Sequence, residues 1–160
     1  MKSERRAEES ITEMTEIILP SDSNALGSAF GGRVMQWIDV CGAIAAQRHT
    51  RSAVVTASMD DLHFHAPIKI GEVVNLKARV EATFKRSLEV YVDVHSENPI
   101  SGARTHCCSA MLTFVALDEH GKPTSVVPLA LDTPEARARQ KDAEQRREQR
   151  LASRQRTLTR

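Results

Sequence analysis

Four residues of types that can activate water or hold an oxyanion lie between positions 24 and 39. Asn24 lies in a polar loop, and Gly31 and Gly32 open an apolar helix. Asp39 follows about two turns later as the only carboxylate of that helix. Glycines at a helix start let a ligand approach free backbone N–H groups, which together with the helix dipole favour a developing negative charge. This combination predicts attack of water on an activated carbonyl.

Each of these residues also has an ordinary structural interpretation. Asp39 could pair with Arg33, with Arg48 or with a partner chain. Asn24 could form an Asx turn, and the two glycines could simply cap the helix. If Asp39 is catalytic, it acts either as a general base on water or as a nucleophile that forms a mixed anhydride, and the sequence does not separate these two roles.

The helix that carries Asp39 is predicted from Gly31 to Arg48, because this segment has no proline and ends in basic residues that suit the helix dipole. Its apolar side chains repeat at helical spacing and predict one buried stripe, formed by Val34, Trp37, Ile38, Cys41, Ile44 and Ala45. Asp39 lies on a neighbouring face built mostly of small residues, with Gly32, Met35, Gly42, Ala43 and Ala46. Small side chains leave room for a strand, a partner subunit or a substrate beside the carboxylate.

Strand patterns dominate the chain between this helix and residue 117. Strands are predicted at residues 12–19, 53–65, 74–84, 88–94 and 106–117. The third and fourth segments alternate as a half-buried antiparallel hairpin with Lys85, Arg86 and Ser87 at its tip. A shift of apolar phase in the second segment predicts a bulge near Asp60 and Asp61. One helix against an antiparallel sheet gives an α+β domain.

Length and composition fit one domain and exclude several classes of function. A chain of 160 residues can bury one core but not comfortably two. A net charge of +1 and an aromatic content of 4% give no electrostatic preference for nucleic acid and little surface for base stacking. No apolar run is long enough to span a bilayer and the N-terminus lacks a signal-peptide core, so we expect a cytoplasmic protein without a membrane span.

The cysteines and histidines do not predict a reactive thiol or a metal site. Three cysteines, two of them adjacent, are expected to be buried free thiols, and Cys41 lies on the apolar stripe with no adjacent histidine. His63 and His65 would share one face of a strand and could bind a metal. A cupin-type site would need a glutamate four or five residues later, where Lys69 and Ile70 stand. No metal is therefore expected.

Both ends of the chain differ in composition from the segment 11–131, which is the predicted domain. Residues 1–10 are polar, and a flexible N-terminus is expected there. Residues 132–160 are rich in charge, with Thr133 and Pro134 as a plausible helix start. With few large apolar side chains, this tail is expected to be a solvated helix or disordered, and its removal to leave stability nearly unchanged. The alternative is a basic arm that binds nucleic acid or the phosphates of a nucleotide ligand.

Several short motifs follow the Asn24–Asp39 stretch in a characteristic order and spacing. They are Val55-Thr56-Ala57-Ser58, Phe64-His65-Ala66-Pro67-Ile68 with Gly71, Ser87-Leu88-Glu89-Val90, and Phe114-Val115-Ala116-Leu117-Asp118 with Gly121 and Pro123. Over residues 14–128 the chain resembles the acyl-CoA thioesterases of the hotdog fold. The resemblance implies an antiparallel sheet wrapped around one long helix, and hydrolysis of fatty acyl-CoA.

The resemblance also implies roles for individual residues. Asn24 and Asp39 match the family's catalytic pair, which comes from two subunits or two repeats, with Gly31 and Gly32 at the oxyanion. A single repeat would therefore work as a homodimer or as a trimer of dimers. Lys85, Arg86 and Ser87 match the loop that contributes to the CoA nucleotide groove, although Gly and Thr often precede the Ser in the family. No cofactor is expected, since CoA is part of the substrate and the product.

Three other functions stay open at this point. A dehydratase or hydratase of the same fold would use a histidine in the loop before the helix, where this chain offers Asn24. A non-catalytic acyl-CoA-binding module is disfavoured by the intact pair of Asn24 and Asp39. A nucleic-acid-binding protein is disfavoured by the near-neutral charge and the few aromatic residues.

Overall fold

A five-stranded antiparallel sheet forms the centre of the protein, with one long helix on each face. The structure is a computed structural model that describes residues 3–159. The strands are β1 (Thr12–Ile17), β2 (Ala53–Asp60), β3 (Val73–Thr83), β4 (Ser87–Glu97) and β5 (Arg104–Leu117). The sheet order is β1-β3-β4-β5-β2, and the helices are α1 (Gly31–Thr50) and α2 (Pro134–Leu158). The predicted α+β class, with a sheet around one long helix, is confirmed.

Helix α1 packs into the concave face of the sheet through its apolar stripe. The most buried members of that stripe are Val34, Ile38, Cys41 and Ala45. The small-residue face also lies against the sheet, since Gly42 and Ala46 are buried. A Cβ atom on Gly42 would lie 3.2 Å from the ring of Phe114, which is tighter than an ordinary contact, so a larger residue would require the ring or the helix to shift by a few tenths of an ångström. Helix α1 therefore brings its Asp39 face next to the strands.

Strand β2 ends earlier than predicted, and its bulge lies elsewhere. The strand runs to Asp60 instead of residue 65, and the register shifts between Thr56 and Ser58, not near Asp60 and Asp61. Asp61 adopts a left-handed conformation with φ 56°, which no strand continues through. The phase change in the sequence therefore marks the end of the strand. The extra residue at Ala57 places Thr56 and Ser58 on opposite faces of the sheet.

Residues 5–10 are held in place, so the flexible N-terminus predicted for residues 1–10 is wrong for this part. The Arg5 N–H donates to the Pro128 carbonyl at 3.0 Å. Ser10 is fully buried, and its hydroxyl accepts from the Val80 N–H at 2.9 Å. Composition did not predict these contacts because a polar segment satisfied by hydrogen bonds looks like a solvated one. Residues 1 and 2 lie outside the described part of the chain.

Of the two alternatives predicted for the charged tail, a solvated helix or disorder, the structure has a helix, α2, which is mostly exposed and packs one face on the convex face of the sheet. It begins as predicted, with Pro134 in the first turn and the Thr133 hydroxyl accepting from the Ala136 N–H at 3.1 Å. Ala136 and Ala143 are buried. Small side chains let the helix lie close to the strands, which a search for large apolar residues does not detect.

Buried carboxylates on the convex face attach α2 to the sheet. Glu89 is fully buried and accepts from Arg146 at 2.8 Å and from Arg150 at 2.5 Å. Glu81 is also buried, and it lies 3.1 Å from Arg139. A carboxylate that has lost its hydration needs such partners to stay ionised in the fold. The arginines of α2 therefore pair with buried charges of the sheet, and we now expect removal of the tail to lower stability.

The three cysteines are buried free thiols, as predicted. Burial raises the pKa of Cys41 to about 11 and that of Cys108 to about 12. Neither thiol is a nucleophile at neutral pH. Among the described residues, no helix combines the length and apolar character needed to cross a bilayer.

We expect the double variant Arg146→Met, Arg150→Met to lose about 3–5 kcal/mol of folding stability, because it leaves Glu89 buried without a cation. The fall in Tm should be on the order of 10 °C, measured by calorimetry. Adding Glu89→Gln should recover most of this loss, since no buried charge is left. Arg156→Ala, on the exposed last turn of the same helix, is the control and should leave Tm unchanged. A double variant as stable as the parent would contradict the role of α2.

Candidate active site

Asp22 holds the loop before α1 in position. Its Oδ1 accepts from Arg33 at 2.8 Å, its Oδ2 accepts from the Leu19 N–H at 3.0 Å, and its carbonyl accepts from the Phe30 N–H at 2.8 Å. The hydrogen bonds from the Leu19 N–H and the Arg33 guanidinium lower the pKa of Asp22 below its usual value. Arg33 is therefore committed to Asp22 and does not pair with Asp39.

The side chain of Asn24 forms an Asx turn and still keeps its amide donors. Its Oδ1 accepts from the Leu26 N–H at 2.9 Å and from the Ser28 N–H at 3.2 Å. Two backbone donors on Oδ1 fix the orientation of the amide, which leaves Nδ2 as the free end. Within residues 3–159 no acceptor engages Nδ2, so Asn24 can donate to a ligand. The structural and the functional interpretation of Asn24 are thus compatible.

Helix α1 begins without a side-chain cap. The residue before it, Phe30, provides no capping hydrogen bond, and the N–H groups of Gly31 and Gly32 donate to no group in the described part of the chain. Asn24 and Gly31 line one cavity of about 380 Å³. Apolar side chains complete its wall, among them Leu26, Val34, Phe64, Pro67 and Ile68. The amide and the helix N-terminus therefore meet in an apolar cavity.

Asp39 makes a short hydrogen bond across to the sheet. The Thr56 hydroxyl donates to its Oδ1 at 2.6 Å. No basic side chain among residues 3–159 pairs with this carboxylate, since Arg33 binds Asp22 and Arg48 donates to the Ile11 carbonyl at 2.6 Å. Asp39 is half-buried, so its second oxygen is available to a ligand.

Thr56 is a site residue to which the sequence reasoning assigned no role. The motif Val55-Thr56-Ala57-Ser58 was noticed only as part of a family pattern. The one sequence feature that could indicate a role for Thr56 is its position as a polar residue in a half-buried strand. That signal is weak because the bulge at Ala57 hides which face Thr56 occupies.

Within one chain, Asp39 does not share the cavity of Asn24 and Gly31. It lies about 12 Å from Gly31 along the helix axis. Residues 3–159 thus hold two half-sites, an amide with backbone donors and a carboxylate with a hydroxyl. Large apolar side chains lie exposed around both half-sites, namely Phe30, Met35, Val40, Val55 and Phe64. Strand β2, next to the carboxylate, is an edge strand of the sheet.

Lys85 and Arg86 are the central residues of the tight turn between β3 and β4, as predicted. The turn is closed by the Phe84 N–H donating to the Ser87 carbonyl at 2.8 Å. Both basic side chains are exposed. Leu88, which follows Ser87, lies in one row of the sheet with Phe114 and Thr56. Two strand spacings place Leu88 about 10 Å from Thr56 of the carboxylate half-site.

His65 lies on the cavity of Asn24, and its ring centre is 5.7 Å from that of His106. The described residues contain no group of three side chains that could hold one metal ion. His65 therefore contributes to the wall of the cavity.

Comparison with known proteins identifies the family of this chain. A sequence model of the thioesterase superfamily matches residues 26–103. The solved structure of an apo-hexameric acyl-CoA thioesterase is 40% identical, covers 94% of this chain and 96% of its own, and superposes with a TM-score of 0.87. Mouse acyl-coenzyme A thioesterase 11 is 38% identical over 87% of this chain. This chain spans 23% of the length of the mouse protein.

The acyl-CoA hydrolase of Staphylococcus aureus has been solved with butyryl coenzyme A, coenzyme A and coenzyme A disulfide. It is 32% identical, with coverage of 97% of this chain and 94% of its own and a TM-score of 0.87. Variants of it with an asparagine, an aspartate or a threonine replaced by alanine have also been solved. With a relative 40% identical over nearly its full length, this chain belongs to the acyl-CoA thioesterases of the thioesterase superfamily, with the hotdog fold that the resemblance implied.

Proposed function

We propose that this protein hydrolyses acyl-CoA thioesters to free fatty acid and CoA. The observation that carries the proposal is the Asp39 carboxylate, which is free of basic partners among the described residues and is oriented by the Thr56 hydroxyl at 2.6 Å. A relative's variants support it as well. The substituted asparagine, aspartate and threonine of the Staphylococcus aureus hydrolase are separated by 15 and 17 residues, and Asn24, Asp39 and Thr56 have the same spacing.

The two half-sites provide complementary parts of this reaction. Asp39 removes a proton from water, whose oxygen attacks the thioester carbonyl carbon. The carbonyl oxygen becomes an oxyanion, which the N–H groups of Gly31 and Gly32 and the Asn24 amide stabilise. Collapse of this intermediate breaks the carbon–sulfur bond and releases the CoA thiolate, which takes up the proton. Direct attack by Asp39, with a mixed anhydride as intermediate, is the alternative. Neither route needs a cofactor.

A complete site requires two chains in this proposal. One chain holds Asn24 and Asp39 apart, and exposed apolar side chains surround both half-sites. A second copy placed against α1 and the edge strand β2 buries this surface and brings the Asp39 of one chain to the Asn24 of the other. We therefore propose a homodimer as the minimal active unit, or a trimer of such dimers, and the hexameric state of a relative is consistent with the latter.

The turn between β3 and β4 is proposed to bind the CoA nucleotide. Lys85 and Arg86 are exposed cations without a carboxylate partner among residues 3–159, and Ser87 adds a hydroxyl beside them. Lys and Arg bind phosphate through charge-assisted hydrogen bonds. The turn lies close enough to the carboxylate half-site for one extended molecule to reach both.

Asp39→Asn should reduce kcat/KM for acyl-CoA by about a hundredfold or more, because the amide cannot accept the proton of water. The amide oxygen can still accept from Thr56, so Tm should hold. Release of thiol from a series of acyl-CoA esters measures the rate. Glu119→Gln, an exposed carboxylate distant from the site, is the control. Near-normal turnover by Asp39→Asn would rule out Asp39 as base or nucleophile and leave an acyl-CoA-binding module as the better interpretation.

Mixing Asn24→Ala protein with Asp39→Ala protein should restore activity if each site uses residues from two chains. After subunit exchange, about half of the dimers are mixed, and each has one intact site, so activity should approach a quarter of the parent's. Mass spectrometry measures the exchange and thiol release the activity. Exchange without recovery would place both residues in the site of a single chain.

Lys85→Ala combined with Arg86→Ala should raise KM for acyl-CoA and leave KM for an acyl-pantetheine ester nearly unchanged. Lost phosphate contacts weaken binding of the nucleotide without touching the thioester. The backbone carbonyls of both residues, which accept hydrogen bonds from other segments, are retained. Equal losses on both esters would mean that the turn supports the fold instead.

A further inference from the structure

A second cavity, a groove with several polar and charged side chains, lies between helix α2 and the convex face of the sheet. Its volume is about 440 Å³. The strands contribute three residues with hydroxyl groups, Ser58, Ser87 and Thr113. The helix contributes three arginines, Arg147, Arg150 and Arg154. Hydroxyl and guanidinium donors on opposite walls are the composition of an anion site.

The hydroxyl of Thr113 has no partner in the described part of the chain. Thr113 is 8% exposed, lies on β5 at the bottom of the groove, and its Oγ1 is buried without a hydrogen bond. A buried polar group without a partner is unfavourable and calls for an explanation. A ligand oxygen in the groove would accept from this hydroxyl.

The arginines of the groove are not all paired with carboxylates. Arg150 is committed to Glu89, which Arg146 also binds. Asp60 also lines the groove, where it accepts from the Ser58 hydroxyl at 3.3 Å and lies 4.0 Å from Arg150. The other two groove arginines have no carboxylate partner among residues 3–159. The groove therefore carries more guanidinium groups than carboxylates and attracts an anion.

Contacts with the protein hold part of this charge in position. The guanidinium carbon of Arg147 lies 5.2 Å from the centre of the Phe84 ring, in a cation–π arrangement. Arg154 is exposed about two turns further along the same helix. Ser87 lines the groove and directly follows Lys85 and Arg86 in the chain, so the groove begins beside the cationic turn.

We propose that this groove binds the phosphate groups of a nucleotide, with Arg147, Arg154 and the Thr113 hydroxyl as donors. Guanidinium groups pair with phosphate oxygens in bidentate geometry, and a strand hydroxyl adds a directional donor. Two sources supply this chemistry. One is the phosphorylated nucleotide end of the CoA substrate, an assignment that rests on the proposed function. The other is a free nucleotide that binds independently of hydrolysis.

Calorimetric titration with adenosine 3′,5′-bisphosphate tests the groove without any hydrolysis. Arg147→Ala with Arg154→Ala should weaken binding about tenfold or more, because two charge-assisted contacts are lost. Thr113→Val should weaken it about threefold without lowering the Tm of the ligand-free protein, since the replaced hydroxyl has no partner there. Arg156→Ala, which removes one positive charge outside the groove, should bind like the parent.

Three results of these binding and stability measurements would overturn the proposal. They are absence of binding to the parent, equal affinity of the parent and the arginine variant, and a fall in Tm of Thr113→Val. The last result would show that the protein itself already satisfies the hydroxyl.

Kinetics and ADP binding distinguish the two sources of phosphate. If the substrate occupies the groove, the arginine variant should show a raised KM for acyl-CoA, with kcat and the KM for an acyl-pantetheine ester unchanged. If a free nucleotide occupies it, the variant should lose ADP binding and keep its KM for acyl-CoA. Equal losses on both esters would show a structural role and overturn the proposal. A parent that binds the bisphosphate but hydrolyses no acyl-CoA would refute the proposed function, while the proposal that the groove binds nucleotide phosphate would still hold.

Discussion

The close approach of helix α1 to the sheet is the constraint on which the rest of the structure depends. Gly42 has no side chain, and a Cβ at this position would lie only 3.2 Å from the ring of Phe114. The helix therefore lies deep in the concave face. At this depth the hydroxyl of Thr56 reaches the carboxylate of Asp39. The packing that buries the core thus also builds half of the candidate active site.

The bulge at Ala57 gives the two faces of the sheet different chemistry. Before it, Thr56 faces α1 and the carboxylate, and after it Ser58 faces α2 and the arginine groove. Uninterrupted strand alternation would place both residues on the same face. One extra residue in an edge strand therefore lets a single short segment face the candidate active site on one side and the charged groove on the other.

The charged residues on the convex face hold helix α2 on the sheet, and only some of them remain available for a ligand. Glu89 is fully buried under α2, and Arg146 and Arg150 neutralise it. A buried pair of this kind holds a helix in a defined position, because misplacement leaves a charge without a partner. With these arginines committed, Arg147 and Arg154 keep charge available for a ligand. The rich supply of arginine in α2 therefore serves both the fold and, in our proposal, recognition of phosphate.

The sequence alone determined the elements and the reactive residue types, because both are local properties. Periodicity predicted α1 and the hairpin of β3 and β4, and residue type and spacing, together with the resemblance to a known family, pointed to Asn24 and Asp39. Only the tertiary structure decided how these parts meet. The sequence does not reveal Thr56 as the partner of Asp39, because the two residues are 17 positions apart and meet only when α1 packs against β2. The packing of α2 was missed because buried alanines and neutralised glutamates carry no signal in hydropathy. The separation of the two half-sites depends on where the helix lies, and that is fixed by packing across the whole domain.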